Sequence, residues 1–340
     1  MAENATIFAP ARAPLTVAVL ALPHCSILEV ASVLDPMRAA NRHLGREEFR
    51  WHVVSPDARP VPLTCGIELP AAGPLDRAEG ADMLILIAGY RQWEVATPPL
   101  LADLARIAPR FACIAGVDAG PWVMARAGLL AGHRATVHWE DLEDFAAAHP
   151  SVTVVPDRWV IDRNRVTAGG AASAHDVMAQ LIASRHGAAL ARQVTASFLT
   201  EVRPADEPQI APQQRGTRLD PRVAAAVARM EADLEQPEPA ARIARALGLS
   251  PRRLEGLFRD ALGLTPAAYA LSLRLQAARR LVVDTRHPMA EIALRTGFSS
   301  AATFSRAFHR QFGIAPSRLR TSSGYTVASV AAAVRKTVRR

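Results

Sequence analysis

Cysteine and lysine are two residues that this sequence has little of. Its 340 residues include three cysteines, Cys25, Cys65 and Cys113, at wide and unpatterned spacings. That number excludes a disulfide framework and a cysteine-type zinc site, and it fits a reducing compartment. Among its 40 basic residues, Lys336 alone is a lysine. Since arginine replaces lysine at every kind of position, we attribute this bias to the composition of the genome and not to function.

Long apolar runs and metal-binding patterns are also missing. No stretch approaches the roughly 18 apolar residues that span a bilayer. The segment from Leu15 to Cys25 is apolar but short, and Pro23 lies where a signal peptide would be cleaved, so we interpret it as a buried strand. His133 and His138 are five residues apart with no third ligand at metal spacing. We therefore expect a cytoplasmic protein with no membrane partner, no metal and no cofactor.

The length of the chain predicts two domains, and the charge is divided unequally between its ends. From residue 218 onward there are 21 basic and 9 acidic residues, a net charge of +12. Residues 1–217 have 19 basic and 23 acidic residues, a net charge of −4. The C-terminal third is thus where a polyanion such as DNA would bind.

A repeated pattern near the C-terminal end is the strongest signal in the chain. One copy extends from Ile243 to Pro266 and the other from Ile292 to Pro316. An isoleucine, an alanine, a glycine and a serine recur 49 positions on, whereas a phenylalanine, a glycine and a proline recur 50 positions on. The second copy therefore carries one extra residue, which we place just after its turn.

Each copy has the features of a helix-turn-helix. A glycine, Gly248 or Gly297, can end the first helix in the left-handed conformation. One apolar residue follows, and then Ser250 or Ser299, which we predict to cap the second helix. That helix has an apolar face and a basic face. The predicted DNA contacts are Ser250, Arg252, Arg253, Arg259, Ser299, Ser300, Thr303, Arg306, His309 and Arg310.

A predicted helix from Ala267 to Asp284 joins the two copies. At 1.5 Å per residue it is about 27 Å long, which is comparable with the roughly 34 Å of one DNA turn. A connector of this kind can hold both second helices on one face of a duplex, where they would read successive major grooves. The alternative is a helical bundle whose basic face is merely solvated.

The residues IALRTGFSSAATFSRAFHRQFGIAPSRLR resemble the DNA-binding domain of the AraC/XylS family of transcription regulators. The resemblance covers about a hundred residues, from Leu219 to Arg320. It implies a double-stranded DNA operator as one partner and RNA polymerase as another. Family members activate transcription more often than they repress it, so we expect an activator.

The N-terminal part alternates between buried strands and helices. Strands are predicted at 16–22, 49–55, 82–88 and 111–117, with further ones at 152–155, 159–162 and 166–168. Such alternation favours an α/β domain with a parallel sheet, followed here by an all-α domain of two helix-turn-helix units. The predicted boundaries are a flexible tail at 1–13, an effector-sensing and dimerisation domain at 14–200, a linker at 201–218, the DNA-binding domain at 219–320 and a basic tail at 321–340.

The stretch Gly116-Val117-Asp118-Ala119-Gly120 is the informative site of the first domain. In enzymes a turn of this form, between a strand and a helix, presents a nucleophile on a strained backbone. Here the central residue is Asp118. It could be a catalytic nucleophile, a cap of the following helix or a contact to an effector.

The segments AGVDAGPWVMARAGLL, ATVHW and VTAGGAASAHDVMAQLI resemble the ThiJ/PfpI branch of the class I glutamine amidotransferase-like fold, which is a flavodoxin-like parallel-sheet sandwich. Active members of that superfamily have a cysteine at the turn, often with a nearby glutamate and histidine. By matching motifs, Glu29 and His138 occupy the latter positions, while Asp118 occupies that of the cysteine. We therefore expect no catalysis, although an amidohydrolase or isonitrile hydratase with a DNA-binding appendage is the alternative.

The order of the two domains resembles that of the GlxA-type regulators within the AraC/XylS family. Among these, regulators of glycine betaine and carnitine catabolism have an aspartate at the turn, which implies a quaternary amine or a related amine as the effector. Aromatic faces and a carboxylate would hold such a cation. The alternative for each tryptophan is an ordinary place in the core. The predicted effector contacts are Glu29, Tyr90, Asp118, Trp122, His138, Trp139 and Glu140.

Overall fold

The computed structural model of the protein describes residues 6–10, 13–207, 209, 220–285 and 287–322. The chain divides into two compact units, Met1–Ala211 and Pro212–Arg340. Among the described residues no helix combines the length and apolarity that crossing a membrane requires.

The first unit is built on a six-stranded sheet with the order β2-β1-β5-β6-β10-β9. Every neighbouring pair is parallel except β10 and β9, which are antiparallel. Two short two-stranded sheets, β3-β4 and β7-β8, lie outside it. The strands are β1 Leu15–Ala21, β2 Phe49–Val54, β3 Val61–Pro62, β4 Glu68–Leu69, β5 Met83–Ala88, β6 Cys113–Asp118, β7 Arg134–Ala135, β8 Thr153–Val154, β9 Trp159–Asp162 and β10 Arg165–Ala168.

Helices cover both faces of this sheet, which explains why its central strands are apolar throughout. One face packs on α1, α6 and α7, and the other on α3, α4 and α5. This arrangement confirms the flavodoxin-like α/β fold. The helices of the first unit are α1 Ile27–Leu44, α2 Gln92–Val95, α3 Pro98–Ile107, α4 Gly120–Arg126, α5 Leu142–Ala148, α6 Ala171–His186 and α7 Ala188–Ala196.

Residues of the predicted flexible tail pack against the first unit. Residues Thr6–Phe8 form a short 3-10 helix, and Ile7 is buried in the core of the first unit. The guanidinium group of Arg185 donates to the carbonyl oxygens of Ile7 at 3.3 Å and Ala13 at 2.7 Å. A long-range partner on α6 therefore holds the backbone of this part of the predicted tail. The basic tail beyond Ser322 lies outside the described residues.

The second unit consists of helices, as predicted. One core cluster holds α8, α9, α10 and the start of α11, and another holds the rest of α11 with α12, α13 and α14. Each cluster contains one helix-turn-helix. The helices are α8 Pro221–Ala232, α9 Ala240–Ala246, α10 Pro251–Leu262, α11 Pro266–Asp284, α12 Met289–Arg295, α13 Ala301–Phe312 and α14 Pro316–Ser322.

The second helix of each copy begins at a serine cap, but one of the two caps differs from the prediction. Ser250 Oγ accepts from the amide of Arg253 at 3.2 Å, as expected. In the second copy Ser300 Oγ accepts from the amide of Thr303, also at 3.2 Å, so the cap is Ser300 and not Ser299. The extra residue therefore precedes the cap, and α10 and α13 both have 12 residues.

Candidate functional site

Asp118 lies at the carboxyl end of β6 with its backbone in the left-handed region, at φ 59°. Aspartate tolerates this conformation better than most residues. A Cβ at Gly116 would lie 2.7 Å from Met124 Sδ, and one at Gly120 would lie 2.6 Å from the carbonyl oxygen of Leu86. The two glycines therefore allow strand and helix to approach closely. The backbone is that of a nucleophile turn with a carboxyl group at its centre.

Asp118 does not cap the helix that follows. The N-cap of α4 is Ala119, and no side chain caps that helix. The capping role considered from the sequence is thus wrong, because Asp118 precedes the N-cap residue and its side chain makes no cap hydrogen bond. That group instead contacts Glu29.

Glu29 comes from the first turn of α1, which begins beside the end of β1. Its Oε2 accepts from the amide of Ser26 at 3.2 Å, while Ser26 Oγ accepts from the amide of Leu28, so a capping box fixes the side chain. Only 7% of Glu29 is exposed. Burial raises the pKa of Glu29 to about 7, against the opposing effects of its hydrogen bonds to Ser26 and Asp118.

The carboxyl groups of Glu29 and Asp118 hydrogen bond to each other. Two carboxylates cannot do so without a proton, and burial shifts the balance towards the protonated form. Burial raises the pKa of Asp118 well above its usual value, and the negative charges of Glu29, Asp141 and Glu140 raise it further. The charged neighbours that act most strongly on Asp118 are thus all acidic.

Asp141, which the sequence analysis missed, is a further acidic residue close to Asp118. Its Oδ2 accepts from the indole nitrogen of Trp122 at 3.0 Å. Burial raises the pKa of Asp141, while Trp122 and His138 oppose that shift. Trp122 also packs edge-on against Phe145 at 5.0 Å. Trp122 therefore packs in the core with one part of its ring system and holds Asp141 with its indole nitrogen.

The remaining predicted contacts lie on two surface turns. His138 Nδ1 is 3.8 Å from Glu140 Oε2, and the ring of His138 lies 5.7 Å from that of Trp139. Trp139 is 37% exposed. Tyr90 follows Gly89 at the end of β5 and is 56% exposed. The structure thus places Glu29 and Asp118 in contact, with Glu140 and Asp141 near enough to affect Asp118.

Gly89 lies at the switch point of the sheet. The chain leaves β1 towards β2 on one side, while β5 pairs with β1 on the other, and α/β sheets bind ligands at such a point. A Cβ at Gly89 would lie 2.9 Å from the carbonyl oxygen of His24 and 3.5 Å from Asp118 Oδ2. Glycine therefore leaves room for the carboxyl pair.

The buried cysteines offer no thiolate here. Cys25 lies next to this site, and burial together with the charge of Glu29 raises its pKa to about 12. Burial raises the pKa of Cys113 to about 12 as well. His133, which was considered as a metal ligand, bonds Asp162 Oδ2 at 3.1 Å. Within the described ranges no group of three or more His, Cys, Asp or Glu side chains is arranged to hold a metal.

A buried ion pair fastens the start of the predicted linker to the first unit. Arg158 Nη2 donates to Asp176 Oδ2 at 3.0 Å, and the two side chains are 5% and 4% exposed. Asp176 Oδ1 accepts from the amide of Arg203 at 3.1 Å. The amide of Arg158 donates to the carbonyl oxygen of Ala205 at 2.7 Å. The predicted linker from residue 201 therefore begins as a bound segment, and its residues 210–218 lie outside the described ones.

Gln209 continues this attachment next to the candidate site. Its Nε2 lies 3.0 Å from Thr136 Oγ1, 2.9 Å from the carbonyl oxygen of Val137 and 3.0 Å from that of Asp157. An added Cβ at Gly169 would overlap the Gln209 amide group. Val137 directly precedes His138, so the bound segment reaches the turn that carries Glu140 and Asp141.

The ten predicted DNA contacts are all exposed in the second unit. They lie on α10 and α13 or at the starts of these helices. The opposite face of α10 buries Leu254, Leu257 and Phe258, and that of α13 buries Phe304, Ala307 and Phe308. Packing of these faces leaves the arginines in solvent, where Arg306 Nη2 lies 3.4 Å from Thr303 Oγ1.

Comparison with known proteins matches both units. Residues 16–184 match the DJ-1/PfpI family, and residues 243–322 match a helix-turn-helix domain. The chain is 34% identical over 303 residues to the HTH-type transcriptional regulator CdhR of Pseudomonas aeruginosa, an alignment that covers 88% of this chain and 89% of that one. It is 33% identical over 309 residues to the HTH-type transcriptional regulator GlxA of Rhizobium meliloti, covering 88% and 93%. A crystal structure of an AraC family transcriptional regulator from Pseudomonas putida superposes with a TM-score of 0.50 and 26% identity, covering 55% of this chain and 100% of that one.

Proposed function

Because the chain belongs to the family of AraC-type transcriptional regulators that carry an N-terminal DJ-1/PfpI domain, we propose that it couples DNA binding to the binding of a small amine. DNA-binding regulation itself follows from membership of this family. The effector, the residues that contact it and the direction of regulation are our proposals.

The observation that carries the amine proposal is the buried pair of Glu29 and Asp118, with Asp141 and Glu140 near it. Burying carboxylates is costly unless a cation balances them. In the free protein a proton meets this need, since the two groups hydrogen bond to each other. A ligand cation that displaced the proton would gain the attraction of several carboxylates at low dielectric.

Two aromatic side chains favour an organic cation over a metal ion. Tyr90 and Trp139 are large and substantially exposed, and they lie on the turns that border the carboxyl pair. A quaternary or guanidinium cation gains from contact with aromatic faces. Trp122 supports the site indirectly, since its indole nitrogen holds Asp141 in place.

The same geometry argues against the enzyme alternative. Asp118 occupies the nucleophile position, and a carboxyl group that retains its proton is a poor nucleophile. The thiol of Cys25 is protonated as well, because its pKa is about 12. We propose that the site binds its ligand without converting it.

We propose that the bound residues 203–207 and 209 carry the signal between the domains. Gln209 bonds the residue that precedes His138, and Arg203 bonds the buried pair of Arg158 and Asp176. An effector that drew Glu140 and Asp141 inward would move this turn and change how the segment is held. Regulation then means that the effector prefers one state of the segment.

The remaining parts of the proposal follow from the family. We propose a cytoplasmic homodimer that binds a double-stranded operator and activates a catabolic operon by contacting RNA polymerase. The first domain would supply the dimer contacts. Dimers are the common way to obtain two-site DNA recognition.

Calorimetric titration of the full chain with betaine, carnitine and arginine tests the effector class. We expect at least one of these amines to bind the wild-type protein, and Asp118→Asn to weaken that binding about 10- to 100-fold through loss of a charged contact. Asp35→Asn is the matched control, because Asp35 lies on the same helix as Glu29 and pairs with Arg38 in solvent. Binding of a neutral or anionic metabolite, with none of any amine, would overturn the proposal.

A further inference from the structure

Arg274, in the middle of α11, contacts three successive residues of the turn between α12 and α13. Its Nε donates to the carbonyl oxygen of Thr296 at 2.6 Å, and its Nη2 donates to that of Gly297 at 2.5 Å. Its guanidinium carbon lies 4.2 Å from the centre of the Phe298 ring. One side chain thus joins the helix that connects the two copies to the turn of the second copy.

The backbone of this turn explains why it needs such a partner. Gly297 has a φ of 71°, and its amide donates to the carbonyl oxygen of Leu294 at 2.8 Å. The amide of Phe298 donates to that of Ala293, also at 2.8 Å. This arrangement closes the end of α12 but leaves the carbonyl groups of Thr296 and Gly297 beyond the helical pattern. The planar fork of Arg274 meets both of them.

The other side of the same turn packs against the loop that follows α8. A Cβ at Gly297 would lie 2.6 Å from the carbonyl oxygen of Leu234 and 2.9 Å from Pro237 Cδ. Helix α8 belongs to the core cluster of the first copy. The turn is therefore held between α11 and the loop that leads from α8 into the first helix-turn-helix.

The first copy has the same turn without these contacts. Gly248 has a φ of 68°, and the amides of Gly248 and Leu249 make the equivalent bonds to Arg245 and Ala244. No atom lies within 4 Å of a Cβ added at Gly248.

Arg274 is also a cation without an acidic partner among the described residues. It is half-buried, and burial lowers its pKa. Its charge is balanced by two carbonyl groups and by the Phe298 ring. An alkyl side chain of similar length could fill the same space without this desolvation, so packing alone does not account for an arginine here.

We propose that Arg274 is a positioning residue that fixes α13 relative to α10, so that the two helices read DNA at one set spacing. This inference rests on the proposal that both helices contact the operator. Each helix would bind one short DNA sequence, called a box here. A rigid turn lets α10 and α13 both contribute to affinity only when the DNA presents its two boxes at the matching distance. A loosened turn tolerates other distances at the expense of affinity.

The test uses full-length protein and a duplex selected by the wild type from random DNA. The two boxes of this duplex are located by footprinting, as the protected regions that Arg252→Ala and Arg306→Ala each lose. Affinity is measured on this duplex and on duplexes with one base pair added or removed between the boxes. We expect the wild type to lose about tenfold or more when the spacing changes. Arg274→Ala should bind the selected duplex about tenfold less tightly and discriminate between spacings by less than about threefold. Gln276→Ala is the control, since Gln276 is an exposed residue on the same helix.

A second pair of variants guards against unfolding of Arg274→Ala. Gly297→Ala and Gly248→Ala suffer similar backbone strain, but only the former collides with Leu234. Gly297→Ala should reproduce the loss of spacing discrimination, and Gly248→Ala should retain it. If folded Arg274→Ala or Gly297→Ala keeps the wild-type preference for spacing, the inference is wrong. If Arg252→Ala and Arg306→Ala leave every footprint intact, the proposed two-helix reading fails instead.

Discussion

Charge is used in opposite ways by the carboxyl pair of the first unit and by α10 and α13 of the second, which we call the recognition helices. Glu29 and Asp118 are largely buried. Burial raises both pKa values, and the acidic neighbours of Asp118 raise its pKa further. Arg252 and Arg306 lie in solvent on helices whose other faces form the core. At the buried pair a proton offsets the negative charge until a cation replaces it, whereas the exposed arginines face solvent, where a polyanion can reach them.

This difference determines what each region can recognise. A buried site discriminates strongly between ligands, since a ligand of the wrong charge or shape leaves buried carboxylates without a compensating positive charge. An exposed basic face attracts any phosphate backbone, and discrimination depends on base contacts and on the spacing of the two helices. The first region therefore suits a small ligand, and the second suits a nucleic acid.

The largest effect should come from removing one arginine from each recognition helix. Arg252→Ala combined with Arg306→Ala should weaken operator binding by about 2–6 kcal/mol, since each base contact contributes about 1–3 kcal/mol and distant sites add. Fluorescence anisotropy with labelled operator measures this loss. Arg38→Ala with Arg59→Ala removes the same charge from the surface of the first unit and should change binding little. Equal affinities for both double variants would contradict the assigned DNA surface.

A separable effect should come from Asp118→Asn in the effector site. The variant should bind operator as the wild type does when no amine is present, because Asp118 belongs to the other unit. It should lose most of the response to the amine, since one carboxylate of the pair is gone. Operator affinity with and without amine measures both properties. A variant that loses operator binding altogether would show that the two regions are not separable in this way.

The carboxyl pair should also make the first unit less stable as the pH rises. Glu29 has a pKa of about 7 in the folded protein and an ordinary value near 4.5 when unfolded. Between these values the folded state holds a proton that the unfolded state lacks, so stability falls by up to about 3 kcal/mol from pH 4.5 to 7. All five tryptophans lie in the first unit, so their fluorescence during urea unfolding follows that unit.

Glu29→Gln provides the comparison for this pH dependence. The amide cannot titrate, so the variant should show a shallower decline of stability between pH 5 and 7. Asp35→Asn, on the outer face of the same helix, should retain the wild-type slope. If the wild type and Glu29→Gln show the same slope, Glu29 does not hold a proton in the folded state.

The smallest effect distinguishes the two adjacent serines at the start of α13. Ser300→Ala should destabilise the second unit by about 1 kcal/mol, because Ser300 caps the helix. Ser299→Ala should change stability by only a few tenths of a kcal/mol. Differential scanning calorimetry of the full chain measures both. The reverse order would restore the cap expected from the repeat.

Features that depend on neighbouring residues could be predicted from the sequence. The two helix-turn-helix copies are visible because Gly248 and Gly297 end one helix and a nearby serine starts the next. The choice between Ser299 and Ser300 was beyond this reasoning, since both residues suit a cap and backbone geometry decides between them. The turn at Asp118 was predictable for the same local reason, from its flanking glycines.

Features that depend on distant residues were missed. Asp141 lies 23 positions after Asp118, and its own neighbourhood gives only the signal of a helix start. Gln209 and Arg203 stand in a segment whose composition is that of a linker, although buried partners hold them to the first unit. In the sequence Arg274 is one of several arginines on a helix, and only the structure shows its contacts to Thr296 and Gly297. In each case a long-range contact gives the residue its role.

The most direct test of the central claim is the operator affinity of the full chain measured against increasing amine, for the wild type and for Asp118→Asn. The operator is first identified by sequencing the DNA that the protein binds in its own genome. We predict that at least one of betaine, carnitine and arginine changes the wild-type dissociation constant at least fivefold, and that Asp118→Asn does not respond at the same concentrations. An unaltered affinity in the presence of every amine, or an equal response of the two proteins, would contradict this account.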